Sequence, residues 1–375
     1  MIPFNRPFLA DRELEYLTSA AASGHTSGDG PFTRRATALL TALTGARAAL
    51  LTTSCTHALE LTALLLDLRP GDEVIMPSFT FVSTANAYVL RGAVPVFVDC
   101  RPDTLNIDER AVEAAVTSRT RAVVVVHYGG VACDMDAIGK VARHHRIPVV
   151  EDNAHGLGAT YRGRPLGSLG AMATQSFHAT KNVSCGEGGA LLINDERYAE
   201  RAEILREKGT DRSRFFRGQV DKYRWMDLGS SYLPSDVLAA GLTAQLEAFD
   251  TIQRRRHAVW DTYQAAFAGL DVVRPTVPPG CEHPAHLYYL LVRDLAERQA
   301  LLRHLADRGV QGTFHYQPLH GAPAGERYGR TGPGGCPVTE DVADRLVRLP
   351  VHAGLTDSDV GRVVDAVTAY RFAGC

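Results

Sequence analysis

"RAVVVVHYGGVACDMDAIGKVARHHRIPVVED", residues 121–152, decides the fold. Residues 121–128 and 147–152 are short apolar runs rich in β-branched side chains, and residues 134–145 between them repeat apolar positions at helical spacing. Strands that are apolar on both alternating positions must be covered on both faces. That arrangement belongs to a parallel sheet with helices packed on either side.

Working outward, "EVIMP" (73–77) and "VPVFVD" (94–99) precede this unit, and "ATQSF" (173–177) and "ALLIN" (190–194) follow it as further strands. The class is α/β with a mostly parallel central sheet. From about residue 235 the pattern turns helical through 268, long enough to bridge two lobes. A smaller α/β unit follows, with a strand at "LYYLLV" (287–292), a helix over 296–307, an extended "TFHY" (313–316) and two terminal helices. The expected division is 1–245 for a large domain and 246–375 for a small one. The Gly- and Pro-rich "YGRTGPGGCPV" (328–338) reads as a surface loop.

Composition narrows the function. The 375 residues carry 40 Lys and Arg against 42 Asp and Glu, so no general positive field exists for a nucleic acid. Seven cysteines are odd in number and form no C-x-x-C pair, which suits reduced thiols in a cytoplasm and gives no metal site. The opening "MIPFNRPFLADRELEYL" lacks the pattern of an export signal, and no apolar run approaches membrane-spanning length. Neither G-x-G-x-x-G after the first strands nor G-x-x-x-x-G-K-[ST] occurs, which disfavours dinucleotide and P-loop enzymes.

Three local signals remain. In "LLTTSCTHALELTALLL", Ser54, Cys55 and Thr56 open a helical run, either as an ordinary N-cap or as a seat for a phosphate. In "VVEDNAHG", Asp152 ends an apolar strand at the edge where open α/β sheets bind ligands; it is either a loop anchor or a partner for a protonated ring nitrogen. In "SFHATKNVSCGEGGALLIN" (176–194), Lys181 follows a strand among hydroxyls and glycines, either as a loop lysine or as an amine that bonds to a cofactor aldehyde. Together, in this order, the three suit pyridoxal 5'-phosphate.

The stretches "SFHATKNVSCGEGGAL", "EDNAHG", "MPSFTFVSTANA", "FVDCRPDTLNID" and "HYQPLH" resemble the DegT/DnrJ/EryC1/StrS family of pyridoxal phosphate-dependent nucleotide-sugar aminotransferases, nearly end to end. "GDGPFTRR", "LRPGDEVIMPSFTFVSTANAYVLRGA", "REKGTDRSRFFRGQVDKYRW" and "DLGSSYLPSD" are similar to the dTDP-4-oxo-6-deoxy-D-glucose aminotransferases of the enterobacterial common antigen type.

The resemblance implies the aspartate aminotransferase-like fold type I and a homodimer. It also implies Lys181 as the covalent attachment point, Asp152 at the pyridine nitrogen, and Ser54, Cys55, Thr56 and Ser176 around the phosphate. Phe81 would stack on the ring and His155 would lie beside its phenolic oxygen. For the substrate it points to Arg212, Arg217 and Lys222 of the basic segment, and to His315, Tyr316 and His320 of "FHYQPLH". L-glutamate would give its amino group, through the pyridoxamine form, to C4 of the dTDP-linked 4-oxo-6-deoxy hexose.

Two departures stand out. Where many relatives have an Asn and an Arg reaching the partner subunit's cofactor phosphate, this chain has Ser231 and Leu233. Cys55 replaces a glycine of the phosphate turn, so that turn should avoid positive φ. Lys181 argues against the branch that dehydrates sugars, which carries histidine there; only the longer resemblance disfavours a branch that aminates C3 of the sugar; and Asp152, His155 and Lys181 together argue against a non-catalytic regulator.

Overall fold

The computed structural model describes residues 1–373. Nine strands form in the first two thirds: β1 (Ala48–Thr52), β2 (Glu73–Pro77), β3 (Val94–Val98), β4 (Thr120–Val126), β5 (Val149–Asp152), β6 (Thr160–Tyr161), β7 (Arg164–Pro165), β8 (Met172–Ser176) and β9 (Gly189–Ile193). Four more follow: β10 (Cys281–Glu282), β11 (Tyr288–Leu291), β12 (Arg330–Thr331) and β13 (Leu346–Leu349). The central sheet runs β1-β9-β8-β5-β4-β2-β3-β12. Within it β9 alone runs against its neighbours β1 and β8.

The unit that decides the fold is a parallel pair, Val123 to Val126 beside Val149 to Asp152, joined by the helix Met135–His145. Asp134 caps that helix by accepting from the Ala137 N–H at 3.0 Å, and Arg143, His144 and His145 complement the dipole at its other end. Its Met135, Ile138, Val141 and Ala142 pack on Val123, Val125 and Val149. Val124 and Val150 point the other way, into a core with Leu59, Met76 and Leu191. Alternate residues of one strand thus enter two different cores, which is why the run is apolar throughout.

The helical stretch from 235 divides into Asp236–Glu247 and Phe249–Ala266, because Ala248 leaves helical ψ. Ile252 of the second helix sits in the core of Leu40, Leu51 and Phe177, while Val259, Trp260 and Tyr263 reach the core of Tyr288, Leu290 and Val347. The antiparallel pair β11–β13 centres that second core. Two segments cross the position expected to divide the chain: Ile2 joins the second core and bridges Val310, and β12 pairs with β3.

Residues 328–338 are therefore more than a surface loop. Arg330 extends the sheet and reaches Glu73, a carboxylate 1% exposed, with Nε and Nη2 at 3.0 and 2.8 Å. Thr117 and Arg119 also donate to Glu73, each at 2.6 Å. The surrounding glycines and prolines concealed a strand of two residues. No helix among the described residues is long and apolar enough to cross a membrane.

Candidate active site

The parallel strands bring their C-terminal ends to one edge, where β5 ends at Asp152. Its neighbour Glu151 points the opposite way and is held by four hydrogen bonds: from the N–H groups of Gly167 (2.9 Å), Leu169 (2.7 Å) and Gly170 (2.6 Å), and with His127 Nε2 (2.9 Å). Because successive strand residues alternate faces, pinning Glu151 fixes the side on which Asp152 emerges.

Asp152 is buried. Its Oδ2 accepts from the Thr84 hydroxyl at 2.7 Å and its Oδ1 from the Ala154 N–H at 3.3 Å. Burial pushes its pKa up, against the Thr84 hydrogen bond and the Lys181 charge. A desolvated carboxylate so thinly supported is suited to a cationic N–H.

Lys181 lies in the loop joining β8 to β9. The loop is folded back by Phe177 N–H to the Gly188 carbonyl, Ala179 N–H to Gly186 and Cys185 N–H to Phe177. Both flanks of the lysine are tethered. Asn5 Nδ2 donates to the Ala179 carbonyl at 2.8 Å. Asn182 Nδ2 donates to the Pro284 carbonyl at 2.7 Å, while its Oδ1 lies 2.8 Å from His286 Nδ1. Burial lowers the lysine's pKa, with Cys55 and Asp152 opposing the shift.

Ser54 is an N-cap: its hydroxyl accepts from His57 N–H at 3.1 Å, opening the helix Cys55–Leu65. Cys55 keeps negative φ as expected. Its thiol, pushed up to about 12 by burial, contacts the Thr174 hydroxyl at 3.5 Å. Thr56 and Ser83 hydroxyls meet at 2.8 Å. First-turn N–H groups not used by Ser54 remain for an anion. Gly189 permits this packing, since a Cβ there would lie 2.3 Å from the Ser54 carbonyl carbon. Ser176 ends β8 and accepts from His178 N–H at 3.5 Å.

Phe81 precedes the helix Val82–Val89 and is 57% exposed. It stands one turn from Thr84, on the same side of the helix, and its ring centroid is 6.4 Å from that of Tyr316. An aromatic ring left open, three residues before the threonine that holds Asp152, suits a flat heterocycle.

His155 Nδ1 receives the Gly129 N–H at 3.2 Å, so Nε2 carries the ring proton and lies 3.3 Å from the Tyr316 hydroxyl. Its ring stacks on His286 at 4.2 Å. Burial foremost, then Lys181 and Arg348, keeps it neutral. His315 stacks on Tyr316 at 3.6 Å and bonds the Tyr128 hydroxyl through Nδ1 at 2.8 Å.

Other expected residues lie elsewhere in the chain. His320 is spanned between Ser78 (2.7 Å) and Glu340 (3.0 Å). Arg212 pairs with Glu207 at 3.1 Å, and Arg217 grips Glu203 at 3.0 and 2.9 Å. Lys222 and Ser231 are exposed, with Ser231 bridging Glu207 through its backbone. None of these makes a hydrogen bond or ion pair with Lys181 or Asp152.

Sequence reading missed Thr84, Tyr128, Asn182, His286 and Arg348. Thr84 had a signal, being three residues after Phe81 on a helix; His286 and Arg348 had none, since only the tertiary fold brings them here.

Together these features fit pyridoxal phosphate: a helix start for its phosphate, Asp152 for its ring nitrogen, Phe81 for its face and Lys181 for its aldehyde. The sequence model of the DegT/DnrJ/EryC1/StrS aminotransferase family matches residues 7–368. The spore coat polysaccharide biosynthesis protein SpsC of Bacillus subtilis (strain 168) is 36% identical over 374 residues, covering 98% of this chain and 96% of SpsC. The aminotransferase TlmJ from Streptoalloteichus hindustanus superposes with a TM-score of 0.90 at 36% identity, covering 98% of both chains. Spr1654 from Streptococcus pneumoniae, in its PMP form, gives 0.91 at 28% identity over 98% of both. The chain belongs to the DegT/DnrJ/EryC1/StrS aminotransferase family and is a pyridoxal phosphate-dependent sugar aminotransferase.

Proposed function

We propose that this enzyme moves the amino group of L-glutamate to C4 of dTDP-4-oxo-6-deoxy-D-glucose, as a homodimer. The C4 and dTDP assignments rest on the extended similarity over "LRPGDEVIMPSFTFVSTANAYVLRGA" and "REKGTDRSRFFRGQVDKYRW". The homodimer is supported by an exposed apolar group on one segment, Phe216, Trp225, Met226 and Leu228, each more than half exposed.

The observation that carries the reaction is the placement of Asp152 at the end of β5 and of Lys181 in the loop that leaves the same end of the parallel strand β8. Bound pyridoxal phosphate supplies an electron sink and a carrier for the amino group. Asp152, held by Thr84, would keep the ring nitrogen protonated. Lys181 is the attachment point. With the donor bound, the Lys181 amine would be the base that takes the donor's α-proton. In the second half it returns a proton to C4 of the sugar. Phe81 covers the ring face, and neutral His155 offers its Nε2–H toward the ring's oxygen. Arg212, Arg217 and Lys222 are proposed for the diphosphate.

The test is an absorbance spectrum of the loaded protein before and after L-glutamate, then after dTDP-4-oxo-6-deoxy-D-glucose, with the product identified by NMR. Loss of the starting band with glutamate, its return with the sugar and a 4-amino product support the reading. A 3-amino product from a 3-oxo sugar, or no return of the band, overturns the substrate assignment.

A further inference from the structure

The helix Phe249–Ala266 buries one stripe, Ile252, Arg256, Val259 and Tyr263, at helical spacing. Ile252 belongs to the core around Phe177, and Val259 and Tyr263 to the core around Tyr288, so the single charge in the stripe sits where the two cores meet. Arg256 is 2% exposed. An arginine taken so far from water ordinarily meets a carboxylate. Among the described residues Arg256 forms no ion pair, and burial lowers its pKa with no acidic group opposing. Its donors go instead to two successive main-chain carbonyls: Nε to Ala285 at 3.1 Å and Nη2 to His286 at 2.6 Å.

Those carbonyls belong to a turn that needs holding. Ala285 lies at φ 48°, in the left-handed region, a conformation that persists only where the surroundings impose it. The next residue, His286, stacks its ring on His155 at 4.2 Å and gives its Nδ1–H to Asn182 Oδ1 at 2.8 Å. Asn182, beside Lys181, donates Nδ2 to Gln253 Oε1 at 3.1 Å, and Gln253 lies three residues before Arg256 on the same helix. The circuit of Arg256, His286, Asn182 and Gln253 thus closes on one helical turn. We infer that Arg256 is a positioning residue: by fixing the backbone of His286 it sets that ring against His155 and, through Asn182, the lie of the Lys181 loop. What is positioned rests on the aminotransferase reading; the circuit rests on geometry.

The experiment compares wild type, Arg256→Met, Arg256→Lys, His286→Ala and the double variant Arg256→Met with His286→Ala. Two rates are read per folded molecule: bonding of pyridoxal phosphate to Lys181 in cofactor-free protein, followed by absorbance with borohydride trapping, and the spectral response of the loaded protein to saturating L-glutamate. Arg256→Met should slow both on the order of 10- to 100-fold, the scale of a misplaced reacting group, while the half-saturating glutamate concentration changes by less than about threefold. A merely structural arginine would lower the melting temperature and leave both rates per folded molecule unchanged. Because Arg256 acts through His286, the double variant should be little slower than the slower single one. Arg256→Lys, which keeps the charge and can reach one carbonyl, should recover part of the rate; it replaces the methionine variant in the cycle if that variant does not fold. Losses that multiply in the double variant, or unchanged rates in a folded Arg256→Met, overturn the inference and leave the aminotransferase reading intact. A wild type that bonds the cofactor but does not respond to L-glutamate removes the proposed donor, and the bonding rates then decide the inference.

Discussion

Thr84 donates its hydroxyl to Asp152 Oδ2 over 2.7 Å, and does so from the first turn of the helix that begins beside Phe81. One short segment thus presents both the ring that can cover a cofactor and the hydroxyl that steadies the carboxylate beneath it. Thr84→Val keeps the shape and removes the donor. A hydrogen bond to a charged group of this kind is worth about 2 kcal/mol, so cofactor release should accelerate by roughly tenfold or more. Thr84→Ser should restore the slow release, measured as the loss of bound cofactor on dilution.

Lys181→Ala should lower amino transfer by about a thousandfold or more, the scale of a positioned base, with little change in melting temperature. Borohydride treatment of the loaded wild type followed by peptide mass mapping should mark Lys181. A mark on another lysine would remove its proposed role.

Gly189→Ala forces a methyl group to 2.3 Å from the Ser54 backbone, where no flexible side chain can yield. Overpacking of this sort costs about 3 kcal/mol. Since the strand and the helix start are pushed apart, cofactor affinity should fall together with the melting temperature; a normal affinity in a destabilised protein would separate the two.

Glu73 makes acid sensitivity a test of the concealed strand. Arg330 first, then Thr117 and Arg119, brings this carboxyl from an ordinary value of 4.5 down to about 2. A depressed pKa contributes stability that is present above pH 4.5 and is lost as pH falls toward about 2. Glu73→Gln should cost about 2 kcal/mol at neutral pH, between the limits for exposed and buried pairs. Its deficit should shrink across that window, read from melting temperatures of both proteins.

The strands around Asp152 were legible because burial on both faces leaves an unbroken apolar run, and β2 ends where the sequence reading placed it. The positions of Asp152 at a strand end and of Lys181 just beyond one were legible because a strand end announces itself. β12 was not, since two residues among glycines carry no periodicity, and the bend at Ala248 was not, since alanine favours helix and only packing interrupts it. His286 and Arg348 lie 105 and 167 positions after Lys181 by subtraction of residue numbers. No local pattern relates residues so far apart to the site.

The two tethers flanking Lys181 have a practical consequence for anyone handling this protein. Asn5 holds the loop on one side, and Asn182 fastens it to Pro284 and His286 on the other. The Lys181 loop is therefore slung between Asn5 and residues 284–286, like a span between two piers. Trimming residues 2–5, or fusing a bulky tag against them, would slacken one pier without touching the pocket. Residues 284–286 cannot be exchanged without resetting the other.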